Sequence, residues 1–367
     1  MGKKSILVLM LAAAPFVGHS KTFGRPAEAD RNPRVRTFEF VYRTIIDVPA
    51  TARRLNIWIP LPQDDDNQNV KVTQIEAPYP REIRREEEFQ NKILYLSLQD
   101  PAPGTITIVI IARVQRSEAV HKKFGRARDQ GEPAEHPRLK RWLEPDHLVP
   151  LNDLILGMSR QITADKQTDL EKVRAIYDYV VDNVSYKKEG AGWGRGDIYW
   201  ACNAKTGNCT DFHALFTGLV RATGIPAKFV IGFPLPPERG ADQVSGYHCW
   251  SEFHLDGYGW VPIDASEASK HPETREYYFG SLDENRVEFT EGRDILLSPR
   301  QQGEPLNFFV YPYVEADGRS LDAVRYEFSY RDIDSNRHSS PADQNPDPSS
   351  KTWRRSTNIG NGNHRTR

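Results

Sequence analysis

The hydrophobic pattern of the chain changes its period near residue 150, and this change limits the possible folds more than any other feature. Between residues 35 and 116 apolar and polar side chains alternate, as at Ile106, Ile108 and Ile110. After Thr168 the apolar residues recur every three or four positions. Alternation is typical of half-buried strands, and the longer period is typical of helices. The sequence therefore predicts a β-rich region followed by a mixed region.

The two patterns define the predicted domains. Breaks rich in Pro, Gly and Asp separate the alternating runs of 35–116, which favours a small antiparallel β-sandwich. Residues 117–150 are densely charged and contain several prolines, so we expect a linker there. Residues 151–330 combine helical and strand patterns and form the predicted catalytic domain. The fold class that follows is α+β, with a helix packed on an antiparallel sheet and a sandwich before it.

The two ends of the chain carry different signals. Lys3 and Lys4 precede an apolar run from residue 6 to 17, so residues 1–20 read as a cleavable signal peptide. The run is interrupted by Pro15 and is short for a membrane span. We therefore expect a periplasmic or secreted protein with no stable membrane span after cleavage. Residues 331–367 are rich in Ser, Asn, Pro and Arg and predict a disordered tail.

Charge and cysteine content narrow the function classes. The formal net charge is −1, so the chain has no global basic field for nucleic acid, and no such partner is expected. Three Cys are too few for a disulfide scaffold, and an odd number leaves at least one thiol unpaired within the monomer. C-x-x-C and H-x-x-x-H spacings do not occur, which argues against a zinc site. We expect neither a metal nor a cofactor.

Cys209 is the thiol that the pattern singles out. It follows Gly207-Asn208 and precedes a helical apolar stripe of Phe212, Leu215, Phe216 and Leu219. Cys209 thus lies in the first turn of a core-packed helix but off its apolar stripe. The free N–H groups and the positive end of the helix dipole stabilise a thiolate there. Cys209 is therefore the candidate nucleophile.

A thiolate nucleophile needs a histidine to exchange protons and an acceptor to orient that histidine. Residues 247–254 and 260–264 predict two strands of a hairpin, which carry His248 and Asp264. A turn of three or five residues places Asp264 opposite Trp250 and diagonal to His248 on one sheet face. A plain four-residue turn gives the wrong parity. The candidate triad therefore predicts the length of this turn.

Other ionisable residues near these strands fit a catalytic role less well. Glu252 lies about 13 Å along the strand from His248, and His254 about 20 Å. His213 is one helical turn after Cys209, on the same face, so it can touch the thiol but cannot easily stand across a substrate from it. We expect His213 to support the site rather than to act on the substrate.

Four sequence blocks resemble the bacterial transglutaminase-like superfamily. They are, in order, residues 207–212, 221–227, 248–252 and 259–264. The resemblance implies a papain-like core in which Cys209 is the nucleophile, His248 the general base and acid, and Asp264 the residue that orients His248. The alternating region also looks like the sandwich that often precedes such cores.

The resemblance raises the question of the oxyanion donor. In some family members a Trp upstream of the nucleophile donates its indole N–H, and Trp193 and Trp200 are candidates here. Neither lies in a strong motif, so we expect both to pack in the core. The backbone N–H of Cys209, at a helix start, is the expected donor. The calcium sites of the animal transglutaminases have no counterpart, and metal dependence is not implied.

Three matters stay open in the sequence. Cys202 and Cys249 either pair in an oxidising compartment or remain two buried thiols. The chemistry we favour is a peptidase or amidase that acts on peptide or protein substrates through a thioester, and a protein-glutamine cross-linking acyltransferase is the alternative. A non-catalytic scaffold that binds a cell-envelope partner is the second alternative.

Overall fold

The computed structural model describes residues 32–120 and 137–333. The predicted signal peptide, most of the predicted tail and part of the predicted linker lie outside these residues. Among the helices of the described part, none has both the length and the apolar character needed to cross a membrane.

The described residues form eighteen strands and five α-helices. The strands of the first part are β1 (Val35–Val48), β2 (Arg54–Pro60), β3 (Gln68–Glu76), β4 (Glu82–Arg85), β5 (Lys92–Gln99), β6 (Gly104–Ser117) and β7 (Ala119–Val120). The next elements are α1 (Asp153–Ile162), α2 (Asp169–Asn183), β8 (Ser185–Tyr186), α3 (Ile198–Ala204), β9 (Thr206–Gly207) and α4 (Cys209–Arg221). The remaining elements are β10 (Ala227–Pro234), β11 (Ala241–Gln243), β12 (His248–Leu255), β13 (Gly259–Ile263), α5 (Ala265–Lys270), β14 (Ser281–Leu282), β15 (Arg286–Glu291), β16 (Tyr313–Ala316), β17 (Arg319–Ser320) and β18 (Val324–Asp332).

The alternating region supplies three strands to each of two five-stranded antiparallel sheets. One has the strand order β11-β18-β1-β6-β3, and the other has the order β17-β16-β2-β5-β4. Along β1 every second residue is buried, as the alternation predicts. These buried side chains meet those of β2 in one hydrophobic core, which includes Phe38, Phe40, Leu55 and Ile57. The β-rich first region that the pattern predicts is confirmed.

The end of the described chain returns to these two sheets. Strand β18 pairs with β1 along Phe38–Ile46, and β16 pairs with β2. The sequence places residues 151–330 in the downstream domain, so this strand pairing differs from that expectation. Strand β1 is long and needs hydrogen-bonding partners at both edges, and local patterns do not reveal which distant strand provides the second one. The division into domains itself stays a prediction.

The mixed region is built on the sheet β13-β12-β10-β15, with α4 packed against β12. All residues of α4 are buried, so it is the central helix of this core. Helix α2 begins at the capping box of Thr168 and Glu171 that the sequence indicates. In the segment expected to be a linker, residues 137–143 form a 3₁₀-helix and Val149 is fully buried. Part of that segment therefore packs into the core.

One close contact between β10 and β15 yields a prediction about stability. A Cβ atom at Gly232 would lie 1.8 Å from the backbone oxygen of Val287, next to a register shift in this strand pair. We expect Gly232→Ala to lower the free energy of unfolding by about 2 kcal/mol or more, because two backbones must separate. Gly157→Ala in α1 is the matched control, since nothing lies within 4 Å of its added Cβ. Chemical denaturation of both variants checks this, and equal stabilities would contradict it.

Candidate active site

Helix α4 begins at Cys209 because the residues around it cap its first turn. The side-chain oxygen of Asn208 accepts from the backbone N–H of Thr210 at 3.0 Å, and the Asp211 carboxylate accepts from the N–H of Asn208 at 2.9 Å. This reciprocal capping satisfies N–H groups that have no partner inside the helix. It fixes the Cys209 side chain at the positive end of the dipole, as the sequence predicts.

Asp211 also anchors the glycine-rich loop beside the nucleophile. Its carboxylate accepts from the backbone N–H of Gly194 at 2.7 Å and of Gly196 at 3.0 Å. A Cβ at Gly207 would lie 2.3 Å from this carboxylate, so only glycine fits there. Burial raises the pKa of Asp211 to about 6, although its backbone hydrogen bonds oppose the shift. The loop and the helix start are thus tied to one buried carboxyl group.

The hairpin that carries the other two candidates has the turn length that the triad requires. Strand β12 pairs with β13 with Ser251 opposite Ile263 and Leu255 opposite Gly259, which leaves a three-residue turn. The prediction of an odd-numbered turn is confirmed. Asp264 follows β13 directly and is the N-cap of α5, where its side chain accepts from the N–H of Glu267.

The structure brings His248 and Asp264 into direct contact. Nε2 of His248 lies 2.6 Å from Oδ2 of Asp264, and both side chains are buried. The Asp264 carboxylate also accepts from the Ser266 hydroxyl at 2.9 Å, the Glu267 N–H at 3.0 Å and the Arg286 guanidinium at 3.2 Å. Donors thus hold both carboxylate oxygens, so the group cannot turn away from His248.

Burial and charge together set the protonation of these three residues. Burial would raise the pKa of Asp264, but His248 and Arg286 hold it well below its usual range. Burial would lower the pKa of His248, but the charge of Asp264 and its hydrogen bond raise that pKa to about 10. Burial opposes the Cys209 thiolate, but hydrogen bonds from Cys249 and His248 bring the pKa of Cys209 well below that of an ordinary thiol. A thiolate beside an imidazolium is the state these interactions favour.

The ring orientation of His248 assigns its two nitrogens. Nε2 is committed to Asp264, so Nδ1 is the nitrogen available for the hydrogen bond with the Cys209 thiol. The three residues that the sequence nominates are therefore brought together, in the order thiol, imidazole and carboxylate.

His213 lies beside the triad and contacts Cys249 and Asp264. Its Nδ1 is 3.5 Å from the Cys249 sulfur, and its Nε2 is 3.7 Å from Oδ1 of Asp264. Burial lowers the pKa of His213 to about 4, so the ring is neutral near neutral pH. This is the supporting position that the sequence predicts. Glu252 pairs with Lys228 at 3.1 Å, away from the triad.

The remaining sequence candidates have other partners. The indole N–H of Trp200 donates to the Thr206 carbonyl at 3.0 Å, and Trp193 lies under Lys188. Trp200 therefore has no N–H to offer an oxyanion. Within the described segments 32–120 and 137–333, no hydrogen bond uses the N–H of Cys209, so this group can still donate at the start of the helix. All three cysteines are free, and Cys202 contacts Met158 rather than Cys249.

The triad overlaps a group of side chains with metal-ligating atoms. Donor atoms of His248, Asp264 and Glu267 lie within 4.8 Å of one another. However, Arg286 lies against the Asp264 carboxylate and Lys270 pairs with Glu267. These two cations already neutralise the carboxylates, so the local charge disfavours a divalent ion.

Two contributors to the site lack a readable sequence signal. Arg286 is buried, also pairs with Asp283 at 2.8 Å, and belongs to β15, whose place beside β10 depends on sheet order. Strand alternation places Cys249 on the face opposite His248, but it does not show that the helix of Cys209 packs there. Strand β15 also carries Glu288 and Glu291, so charge does not distinguish Arg286 in the sequence.

The part of the chain that carries this site is similar to a known family. Residues 157–265 match the family model of the Transglutaminase-like superfamily. An uncharacterized Haemophilus influenzae protein is 26% identical over 369 residues, which cover 89% of this chain and 98% of that protein. The uncharacterized Bacillus subtilis protein YebA is 24% identical over 136 residues, which cover 33% of this chain and 18% of YebA.

A solved structure shares the fold. The crystal structure of a candidate cysteine protease from Cytophaga hutchinsonii has a TM-score of 0.55 and 16% sequence identity, and the alignment covers 83% of this chain and 92% of that one. The predicted fold class and the resemblance found in the sequence are both confirmed.

The electrostatics of the site predict selective alkylation of one thiol. Near neutral pH iodoacetamide should modify Cys209 ahead of Cys202, whose pKa is raised to about 11 by burial, and ahead of Cys249, whose pKa burial also raises. His248→Ala should slow labelling of Cys209 roughly tenfold or more, since each pKa unit changes the thiolate fraction about tenfold. Peptide mass spectrometry measures the labelling.

The exposed His271 provides the control for this experiment. His271→Ala should leave the labelling of Cys209 as in the unmodified protein. Equal labelling of all three thiols, unchanged by His248→Ala, would contradict an activated nucleophile.

Proposed function

We propose that the transglutaminase-like domain of this chain is a cysteine acyl-transfer enzyme that cleaves peptide or protein amide bonds. Cys209 is the nucleophile, His248 the general base and acid, and Asp264 the residue that orients His248. The observation that carries this proposal is the 2.6 Å contact between His248 and Asp264, beside a thiol at a helix start. A scaffold that only binds a partner has no need of this arrangement.

The first half of the reaction forms a thioester. The Cys209 thiolate attacks the amide carbonyl carbon, and the backbone N–H of Cys209 donates to the oxygen that becomes negative. When this tetrahedral species collapses, the imidazolium of His248 gives its Nδ1 proton to the departing amine. Asp264 keeps Nε2–H oriented throughout, so the ring does not turn as its charge changes.

The second half releases the acyl group. The neutral ring of His248 takes a proton from the incoming acceptor, which attacks the thioester, and Cys209 leaves as thiolate. With water as acceptor the product is a carboxylic acid, and with an amine it is a new amide. We propose water, because the sequence shows no dedicated amine-binding feature. We also propose export to the periplasm or beyond, on the basis of residues 1–20.

Incubation with casein and a labelled primary amine distinguishes the two acceptors. We expect casein fragments or new carboxylic acid groups and no incorporated label. Incorporated label would replace hydrolysis by cross-linking. Cys209→Ala should abolish either product, while His271→Ala should retain it.

The absence of any product in this experiment also has a defined meaning. If neither casein nor a peptide library yields product with the unmodified protein, and Cys209→Ala still captures an envelope partner at full strength, the enzyme proposal is wrong. The non-catalytic scaffold would then replace it.

A further inference from the structure

A second thiol lies near the nucleophile and takes no part in the bond-making and bond-breaking steps proposed for acyl transfer. Cys249 is fully buried on β12, directly after His248. Its sulfur is 3.5 Å from Nδ1 of His213, which is one helical turn from Cys209 on the same face of α4. Cys209 and Cys249 belong to one buried cluster, and the proximity of each thiol shifts the pKa of the other: Cys249 lowers that of Cys209, and Cys209 raises that of Cys249. Cys249 is therefore held between residues that all adjoin Cys209.

The two histidines next to these thiols share one carboxylate, that of Asp264. Oδ2 of Asp264 contacts His248, the partner of Cys209, and Oδ1 faces His213, the partner of Cys249. Cys249 and His213 thus form a second Cys-His pair next to that of Cys209 and His248. Burial lowers the pKa of His213 to about 4, so its ring is neutral near neutral pH and adds no positive charge beside Cys249.

We propose that Cys249 is the resolving thiol for oxidation of Cys209, which makes the pair a site of reversible covalent modification. This inference rests on the thiolate character of Cys209 in the proposed function. Low-pKa thiolates react with peroxides, and a neighbouring thiol can trap the product before it oxidises further. An exported protein meets oxidants that the reducing cytosol removes.

The chemistry proceeds in two balanced steps. The Cys209 thiolate attacks one oxygen of hydrogen peroxide, the O–O bond breaks, and Cys209 becomes a sulfenic acid as hydroxide leaves. The sulfur of Cys249 then attacks the Cys209 sulfur, the S–O bond breaks, the Cys249 proton passes to the departing hydroxyl group, and water leaves. Each cysteine is oxidised by one electron, and peroxide is reduced by two. A thiol reductant reverses the second step by disulfide exchange.

The test exposes the full chain to hydrogen peroxide and maps its cysteine peptides by mass spectrometry. We expect a linked pair of peptides containing Cys209 and Cys249, with a mass lower by two hydrogens. Dithiothreitol should remove the link and restore alkylation of Cys209. Cys202→Ala is the matched control and should behave as the unmodified protein does, because Cys202 contacts Met158 instead.

Cys249→Ser keeps a donor next to Cys209 but cannot form the link. In this variant peroxide should carry Cys209 to the sulfinic acid, and dithiothreitol should not restore its alkylation. Recovery as in the unmodified protein would overturn the proposal. Sulfinic acid as the main product of the unmodified protein, or a link from Cys209 to Cys202, would also overturn it. If Cys249→Ser fails to fold, the peptide map of the unmodified protein decides alone.

These outcomes are independent of the acyl-transfer reaction. A linked pair in a protein that cleaves no substrate would support the modification site and contradict the enzyme. Amide cleavage without the linked pair would support the enzyme and contradict the modification site.

Discussion

The buried carboxylate of Asp264 is the group on which the rest of the site depends. It is fully buried, yet it is ionised because His248, Ser266, Arg286 and the start of α5 all donate to it or approach it. An uncompensated buried charge is costly, and removing one partner of a buried pair typically costs about 3–5 kcal/mol. The same contacts that make Asp264 tolerable in the core fix the His248 ring and keep it protonated. The charge of that ring in turn stabilises the Cys209 thiolate.

The surrounding fold brings distant parts of the chain to this carboxylate. Asp264 directly follows β13, and His248, Arg286 and Cys209 are the first residues of β12, β15 and α4. The sandwich core continues into this sheet, since Phe233 of β10 lies 4.2 Å, centroid to centroid, from Phe328 of β18. The strands under the site are therefore braced by the sandwich. Cys209 and Cys249 belong to the same hydrophobic core as the sandwich residues.

Much of the site follows from local sequence signals, and the rest depends on strand order. The position of Cys209 in the first turn of its helix and the need for an odd-numbered turn between the strands of His248 and Asp264 both follow from spacing and parity. The pairing of β18 with β1 and the position of Arg286 next to Asp264 cannot be predicted in this way, because both depend on which distant strands become neighbours. The proximity of Cys249 to Cys209 is also not predictable from local sequence, because strand parity gives the face on which Cys249 lies but not the helix that packs against that face.

The ion pair between His248 and Cys209 can be tested by measuring the protonation of the His248 ring. Nuclear magnetic resonance of protein with isotope-labelled histidine follows each ring across pH, and the His248 signal is identified by its loss in His248→Gln. We expect an imidazolium at neutral pH that loses its proton near pH 10, because Asp264 raises the pKa of His248 to about 10. A ring that titrates near the ordinary histidine value of about 6.5 would contradict the ion pair with Cys209 and the mechanism that depends on it.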